Sequence, residues 1–119
     1  DGMDYPSVEH AYQAMKTNNL EKRKYISKLE TPKEAKKEGR KLNIRDDWGE
    51  MKVPIMKELL VLKFKQDKFR ERLLETGDEL LIEGNDWGDE YWGICNGKGY
   101  NMLGILLTYV RYCLQNGLL

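Results

Sequence analysis

Three polar residues of different chemistry lie along the first predicted helix of this chain. Glu9, Gln13 and Lys16 occur within the segment DYPSVEHAYQAMK, residues 4–16. At about 100° per residue they fall within about 60° of one another, beside an apolar face. A carboxylate and an amine on one face could act together on a small substrate as base and nucleophile. The alternative is a solvated helix edge with weak surface pairs, and periodicity alone favours that alternative.

Helix signals recur along most of the chain, beginning at Ser7, which can cap the free N–H groups of a first turn. Thr31 and Glu34 form a capping box around Pro32, a second strong start signal. The next start signal precedes Trp48, although the regular helix could begin only at Pro54. The signals predict a mainly α fold with helices over about 8–18, 20–29, 32–39, 54–64, 69–74 and 101–115, and a short strand over 80–82.

The length of the chain leaves room for one modest core. At 119 residues and 14.0 kDa, a single domain over residues 1–119 is expected. The residues predicted to face this core include Tyr25, Ile26 and Leu29 of the second helix and Leu62 of the helix after Pro54.

Charge and hydropathy narrow the possible partners. Twenty Lys and Arg balance twenty Asp and Glu, whereas a protein that binds extended nucleic acid through counterion release normally has a basic excess. No run approaches the roughly 18 apolar residues of a membrane span, and we expect no secretory signal. We therefore expect a cytoplasmic protein with no membrane association and no extended nucleic-acid binding. The oligomeric state is not indicated by the sequence.

The metal-ligating residue types are too few for a site. The chain has two cysteines, Cys95 and Cys113, and one histidine, His10. Two cysteines do not make a disulfide scaffold, and the three residues together do not make a zinc site. We expect unpaired structural thiols and no metal, with His10 in a packing or hydrogen-bonding role.

A glycine- and tryptophan-rich loop precedes the last helix. The segment GNDWGDEYWGICNGKGY, residues 84–100, holds five glycines and two of the three tryptophans. A loop of this length without its own secondary structure usually has a function, and glycines allow a ligand to approach the backbone. In one interpretation Trp87, Tyr91 and Trp92 offer flat faces to a planar ring. In the other the segment is an irregular cap whose tryptophans fill the core.

The end of this loop resembles an anion site. Gly97, Lys98 and Gly99 lead into a helix at Asn101, where free amides and a helix N-terminus would favour phosphate. A flexible turn explains the same residues equally well.

Five segments follow one another along the chain: YPSVEHAYQAMK, KFKQD, LLETGDELLIE, DEYWG and GKGYNMLGILLTYVR. In this order and spacing they resemble the signature segments of the YbiA-like or NADAR family. The resemblance covers residues 1 to about 111 and implies a mainly helical single-domain fold. The family's segment with a Phe-Ser-Asn-Phe-like stretch, which precedes these motifs, is expected to be missing here.

The resemblance implies hydrolysis of an N-glycosidic bond without a metal or other cofactor. The implied substrate is a small phosphorylated riboside: either a phosphoribosylated pyrimidine intermediate of riboflavin synthesis or an ADP-ribosylated guanine base. A noncatalytic module that binds ADP-ribose or a nucleotide is the alternative function.

The same resemblance implies residue roles. Glu9, Lys16 and Asp89 are the candidate catalytic residues, and their side-chain ends are expected within about 10 Å of a common point, a spacing that admits one ribose. For Asp89 a loop-capping role is the alternative. Trp92 is the preferred residue to stack on the leaving base. The candidate substrate-binding residues are Trp92, Gln13, Tyr12, Lys98, Gly99 and Asn101.

Overall fold

The computed structural model describes residues 2–119. Contacts divide the chain into two units, one ending at Leu59 and the other covering Leu60–Leu119. Within the described residues the chain forms six helices and two strands of two residues each. The helices are α1 (Val8–Ala14), α2 (Leu20–Ser27), α3 (Pro32–Gly39), α4 (Trp48–Phe64), α5 (Asp67–Glu75) and α6 (Met102–Gln115), and the strands are β1 (Gly84–Asn85) and β2 (Ile94–Cys95).

Side-chain caps begin the first three helices. The Ser7 hydroxyl accepts from the His10 N–H, and the Asn19 side chain accepts from the Lys22 N–H. Thr31 accepts from the Glu34 N–H one position before Pro32, as the capping box predicts. Each cap satisfies an amide that has no partner inside its own helix, so these starts are fixed by local sequence.

The core of the first unit forms where α1, α2 and α3 contact one another. Ala14, Ile26 and Ala35 contribute one residue from each helix and are almost fully buried. Small residues at two of these three positions let the helices approach closely. Tyr5, Leu29 and Leu42 pack around this centre.

Several expectations for this unit were wrong. Tyr25 was expected to face the core but is 56% exposed, and its hydroxyl donates to the half-buried carboxylate of Glu38. α1 and α2 end earlier than predicted, at Ala14 and Ser27. Pro54 lies inside α4, whose start at Trp48 agrees with the earlier start signal. The proline removes one donor without ending the helix.

The second unit is built on α5 and α6, which contact one another. Leu73 of α5 and Leu106, Val110 and Cys113 of α6 are buried. The Arg111 guanidinium is also buried and donates to the Thr76 hydroxyl at the end of α5. Both cysteines are buried and unpaired, as expected.

The strand predicted over residues 80–82 does not form. Leu80 is 81% exposed and Ile82 is also exposed, so this apolar run has no partner that would bury it as a strand. Instead β1 and β2 pair in parallel, with Gly84 opposite Ile94. Leu62, expected in the core, is exposed.

The Asn101 side chain fixes the segment before β1. Its Oδ1 accepts from the Glu83 N–H at 2.9 Å, and its Nδ2 donates to the Leu81 carbonyl at 2.9 Å. Asn101 itself has a left-handed backbone with φ of 52°. A Cβ at Gly104 would lie 2.2 Å from the Leu81 carbonyl, so that glycine is needed for the close approach.

The fold class expected from the sequence is confirmed: the chain is mainly α, with short strands and a long glycine- and tryptophan-rich loop. No helix among residues 2–119 combines the length and the apolar character that a membrane crossing requires.

Replacing Asn101 by glycine tests whether its two side-chain hydrogen bonds hold the segment before β1. Asn101→Gly keeps a residue that accepts positive φ but removes two hydrogen bonds, so the free energy of unfolding should fall by about 1–3 kcal/mol. Asn96→Gly is the matched control, since Asn96 has the same φ of 52° but is exposed on a turn. Urea denaturation measures both variants. Equal stability of the two would show that the Asn101 side chain does not hold the segment.

Candidate active site

The start of α1 is tied to the end of α2 through His10, which is 1% exposed. Its Nε2 lies 2.9 Å from the Leu29 carbonyl, and its Nδ1 lies 2.6 Å from the Ser7 hydroxyl. Since a carbonyl only accepts, Nε2 donates to Leu29. His10 therefore has a hydrogen-bonding, structural role, as the sequence predicts, and it fixes the turn that carries Glu9.

Cationic side chains bind the carbonyls at the other end of α1. The Arg23 Nε donates to the Thr17 carbonyl at 2.7 Å, and Arg45 binds the Lys16 carbonyl through its backbone N–H at 2.8 Å. The Arg45 guanidinium is held by both carboxylate oxygens of Asp47, at 2.6 and 2.9 Å. These contacts satisfy carbonyls of the turn that follows α1.

Between these anchors, Glu9, Gln13 and Lys16 lie on neighbouring turns. The Gln13 Nε2 donates to Glu9 Oε2 at 3.3 Å, and Gln13 is 3% exposed. Glu9 and Lys16 are half-buried. The polar stripe is thus not a solvated helix edge, which was the alternative interpretation.

Lys16 lies in surroundings that disfavour its charge. Burial is the main cause that lowers its pKa below the ordinary value of 10.5, and the positive charges of Arg40 and Lys36 lower it further. The carboxylate of Glu9 acts in the opposite direction. A lysine with a lowered pKa has a larger neutral fraction at a given pH, and the neutral amine is the nucleophilic form.

Tyr12 lines the same part of α1 and is buried. The Lys16 Nζ lies 5.7 Å from the centroid of the Tyr12 ring, within the range of a cation–π contact. The same ring packs against Trp48, with centroids 5.1 Å apart at 56°. Tyr12 therefore supports Lys16 from the apolar side of the helix.

In the second unit, Asp89 caps its own loop. Its Oδ1 accepts from the N–H groups of Trp92, at 2.9 Å, and Tyr91, at 3.2 Å. The Asn85 side chain brackets Asp89 by accepting from its N–H and donating to its carbonyl. Asp89 therefore does cap the loop, which was the alternative role, and these hydrogen bonds place its carboxylate beside the backbone of Trp92.

The expected free amides at the start of α6 are not free. The N–H groups of Asn101, Met102 and Leu103 donate to loop carbonyls at 3.2, 3.0 and 2.9 Å. Those carbonyls belong to Gly93, Tyr91 and Trp92. The prediction of an open helix N-terminus for phosphate was wrong because the loop folds back and occupies these donors itself.

Lys98 and Gly99 lie in the turn that follows β2. Lys98 exchanges backbone hydrogen bonds with Cys95, and its side chain is exposed. Gly99 has φ of 142°, and a Cβ there would lie 2.3 Å from the Gly93 carbonyl. The close approach that requires glycine is therefore to the chain's own backbone. These contacts give no added support to phosphate binding at Lys98 or Gly99, and the substrate-binding roles of both residues stay predictions.

The aromatic residues of the loop form a small cluster. Tyr91 packs edge-on against Trp92, with centroids 5.1 Å apart, and lies 6.3 Å from Tyr100. Trp92 is half-buried, whereas Trp87 is 63% exposed. The loop contributes flat rings without filling a core with its tryptophans.

The predicted site residues thus fall into two groups. Each unit brings its own members together, and the expectation that Glu9, Lys16 and Asp89 share one point stays a prediction. Sequence reasoning missed two neighbours of the first group on α3: Lys36, whose charge acts on Lys16, and Gly39, which lies against Gln13. The first group is Glu9, Tyr12, Gln13 and Lys16, and the second is Asp89, Trp92, Lys98, Gly99 and Asn101. Among residues 2–119, no group of three or more His, Cys, Asp or Glu is placed to hold a metal ion.

Comparison with known proteins identifies the class. The family model described as the NADAR domain matches residues 1–115. N-glycosidase YbiA of Shigella boydii is 36% identical over 115 residues, which cover 93% of this chain and 71% of that protein. N-glycosidase Npun_R5314 of Nostoc punctiforme is 40% identical over 119 residues, covering 94% of this chain and 76% of the relative.

A solved structure and a longer relative agree with this assignment. The NMR structure of the Escherichia coli protein YbiA matches with a TM-score of 0.88 at 35% identity, over 98% of this chain and 71% of that one. Riboflavin biosynthesis protein VVA0006 of Vibrio vulnificus is 34% identical, over 96% of this chain and 32% of its own length.

The chain belongs to the NADAR domain family. Within that family it is an N-glycosidase, a hydrolase acting on N-glycosyl bonds.

The electrostatic link between Glu9 and Lys16 is testable by titration. Removing the Glu9 charge in Glu9→Gln should lower the pKa of Lys16 further, because the carboxylate stabilises the protonated amine. NMR of the reductively 13C-methylated protein measures each lysine, with Lys16→Arg giving the assignment. Glu21→Gln, an exposed first-turn acid on α2, is the control. A Lys16 midpoint that stays in place or rises in Glu9→Gln would contradict the link.

Proposed function

We propose that this chain hydrolyses the ribose C1′–N bond of a small phosphorylated riboside. The candidate substrates are phosphoribosylated pyrimidine intermediates of the riboflavin pathway and ADP-ribosylated guanine. One observation carries the proposal. Lys16 lies on the polar stripe that flanks the buried face of α1, where it is half-buried, has a lowered pKa and feels the charge of the Glu9 carboxylate. The name of the Vibrio vulnificus relative supports the first substrate class.

In the proposed reaction the neutral Lys16 amine attacks C1′. The C1′–N bond to the base breaks, and the base leaves with the electron pair and takes up a proton. Glu9 accepts the proton that the attached amine gives up. Glu9 also stabilises the positive charge that develops on the sugar as the bond breaks.

Ring opening and water complete the cycle. The ring oxygen leaves C1′ with its electron pair and is protonated, and the Lys16 nitrogen forms a C=N bond to the opened sugar. Water then adds to this Schiff base and releases the sugar as an aldehyde, which restores the amine. The net change is one water consumed per N-glycosidic bond broken.

Direct attack of water on C1′ is the second route, with Glu9 as the base and Lys16 as a donor to a ribose hydroxyl or phosphate. Burial lowers the pKa of Lys16 and so increases the fraction of nucleophilic, neutral amine at a given pH, which favours the covalent route.

Residues of the second unit have proposed supporting roles. Trp92 would stack on the leaving base, a contact worth about 1–3 kcal/mol per base in nucleobase sites. Asp89 would orient a ribose hydroxyl or assist proton transfer through the carboxylate oxygen that does not cap the loop. Asn101, Lys98 and Gly99 are proposed to bind the substrate without taking part in the bond cleavage.

Two conservative variants test the proposed catalytic pair. Glu9→Gln and Lys16→Arg should each slow release of free base by at least about 10²-fold, the lower range for positioned acid–base groups. Liquid chromatography of the base released from both substrate types measures the rate. Glu21→Gln and Lys33→Arg, exposed residues of α2 and α3, are the matched controls. Full turnover by either site variant would remove that residue from the mechanism.

The covalent route predicts a trapped adduct and a pH trend. Sodium borohydride added during turnover should fix the opened sugar on Lys16, seen as a mass increase on the peptide that contains it. The rate should rise with pH up to the Lys16 pKa, which lies below 10.5, since only the neutral amine attacks. An active enzyme that gains no mass on reduction would select direct water attack.

A further inference from the structure

Gln13 is the most enclosed residue of the polar stripe. It is 3% exposed, and its Oε1 is buried with no hydrogen-bond partner among residues 2–119. A side chain so enclosed is poorly placed to contact a substrate directly. Among residues 2–119, the hydrogen bond of its side chain is the 3.3 Å donation from Nε2 to Glu9 Oε2.

The carboxylate of Glu9 determines how the Gln13 amide is turned. An ionised carboxylate only accepts hydrogen bonds, so the NH₂ end of the amide must face Glu9. The carbonyl end then points the other way, toward Gly39 on α3. Reversing the amide would give Oε1 a different environment but would set two acceptors against each other at Glu9.

Gly39 provides the space for this arrangement. A Cβ at Gly39 would lie 2.0 Å from Gln13 Oε1 and 2.7 Å from Gln13 Cδ. Gly39 is a helical residue of α3 without positive φ. Its backbone conformation therefore suits any residue, and space is the reason that glycine is needed there.

We propose that Gln13 is a positioning residue that holds the Glu9 carboxylate in the orientation required for reaction. Its amide occupies the space left by the absent side chain of Gly39, which we call the Gly39 notch. The role rests on the proposed function, in which Glu9 acts on the reacting sugar. One oxygen of Glu9 is held by Gln13, and the other is directed to the substrate. Gln13 thus acts through Glu9, and it is not itself in contact with the substrate.

The first test separates positioning from substrate binding. Gln13→Met keeps the length of the side chain but cannot donate to Glu9. It should lower kcat by about 10- to 100-fold, the scale of a misplaced catalytic group, and change KM less than about 3-fold. Gln66→Met is the control, because Gln66 is exposed and makes no capping hydrogen bond at α5. A raised KM with unchanged kcat would assign Gln13 to substrate binding and overturn the proposal.

The second test uses the notch. Gly39→Ala should lower kcat and the urea midpoint, because its Cβ displaces the Gln13 amide. In a Gln13→Ala background the same change should lower the midpoint much less, since the amide is gone, only the 3.1 Å contact with the Cβ of residue 13 is left, and alanine is the better helix former. Gly49→Ala in α4 is the matched control, with no atom within 4 Å of the added Cβ. Equal losses from Gly39→Ala in both backgrounds would overturn the role of the notch.

The outcomes distinguish this inference from the proposed function. A wild-type chain that releases no base from either substrate type overturns the proposed function and the positioning role with it. An active wild type, an inactive Glu9→Gln and a Gln13→Met variant with wild-type kcat overturn the positioning role alone. An active wild type with the kcat loss in Gln13→Met and the background-dependent effect of Gly39→Ala supports both.

Discussion

The chemistry proposed for the first unit depends on how closely α3 approaches α1. At Gly39 the two helices come near enough that a methyl group would overlap the Gln13 amide. This approach encloses Gln13 and brings Lys36 and Arg40 near enough to act on the charge of Lys16. A polar stripe that would otherwise be solvated becomes partly dry, and electrostatic effects are stronger where water is excluded.

The enclosure of this stripe has a cost in stability. The side-chain carbonyl of Gln13, buried without a partner among residues 2–119, and the half-buried amine of Lys16 both oppose folding. The surrounding contacts hold them in place: the Ser7, His10 and Leu29 network at one end of α1, and Arg23 and Arg45 at the other. Perturbed pKa values such as that of Lys16 are frequent at functional sites, which agrees with the role proposed for this residue.

The loop of the second unit shows the opposite arrangement, because its polar groups are largely satisfied by the loop itself. Asp89 binds two amides of the loop, and loop carbonyls occupy the start of α6. The glycines at 93 and 99 permit backbone to lie against backbone. The backbone that suggests a phosphate site in the sequence is therefore hydrogen-bonded to the loop that carries the aromatic cluster of Tyr91, Trp92 and Tyr100.

The features that arise from neighbours along the chain can be predicted from the amino-acid sequence. Caps at Ser7 and Thr31 and the polar stripe of α1 follow from contacts three or four residues apart, which are the same in any tertiary setting. Which of these groups are buried depends on the tertiary fold. The exposure of Tyr25 and Leu80, the enclosure of Gln13 by Gly39, and the capture of the α6 amides depend on residues distant in the chain, and no local pattern specifies which distant surface will cover a given side chain.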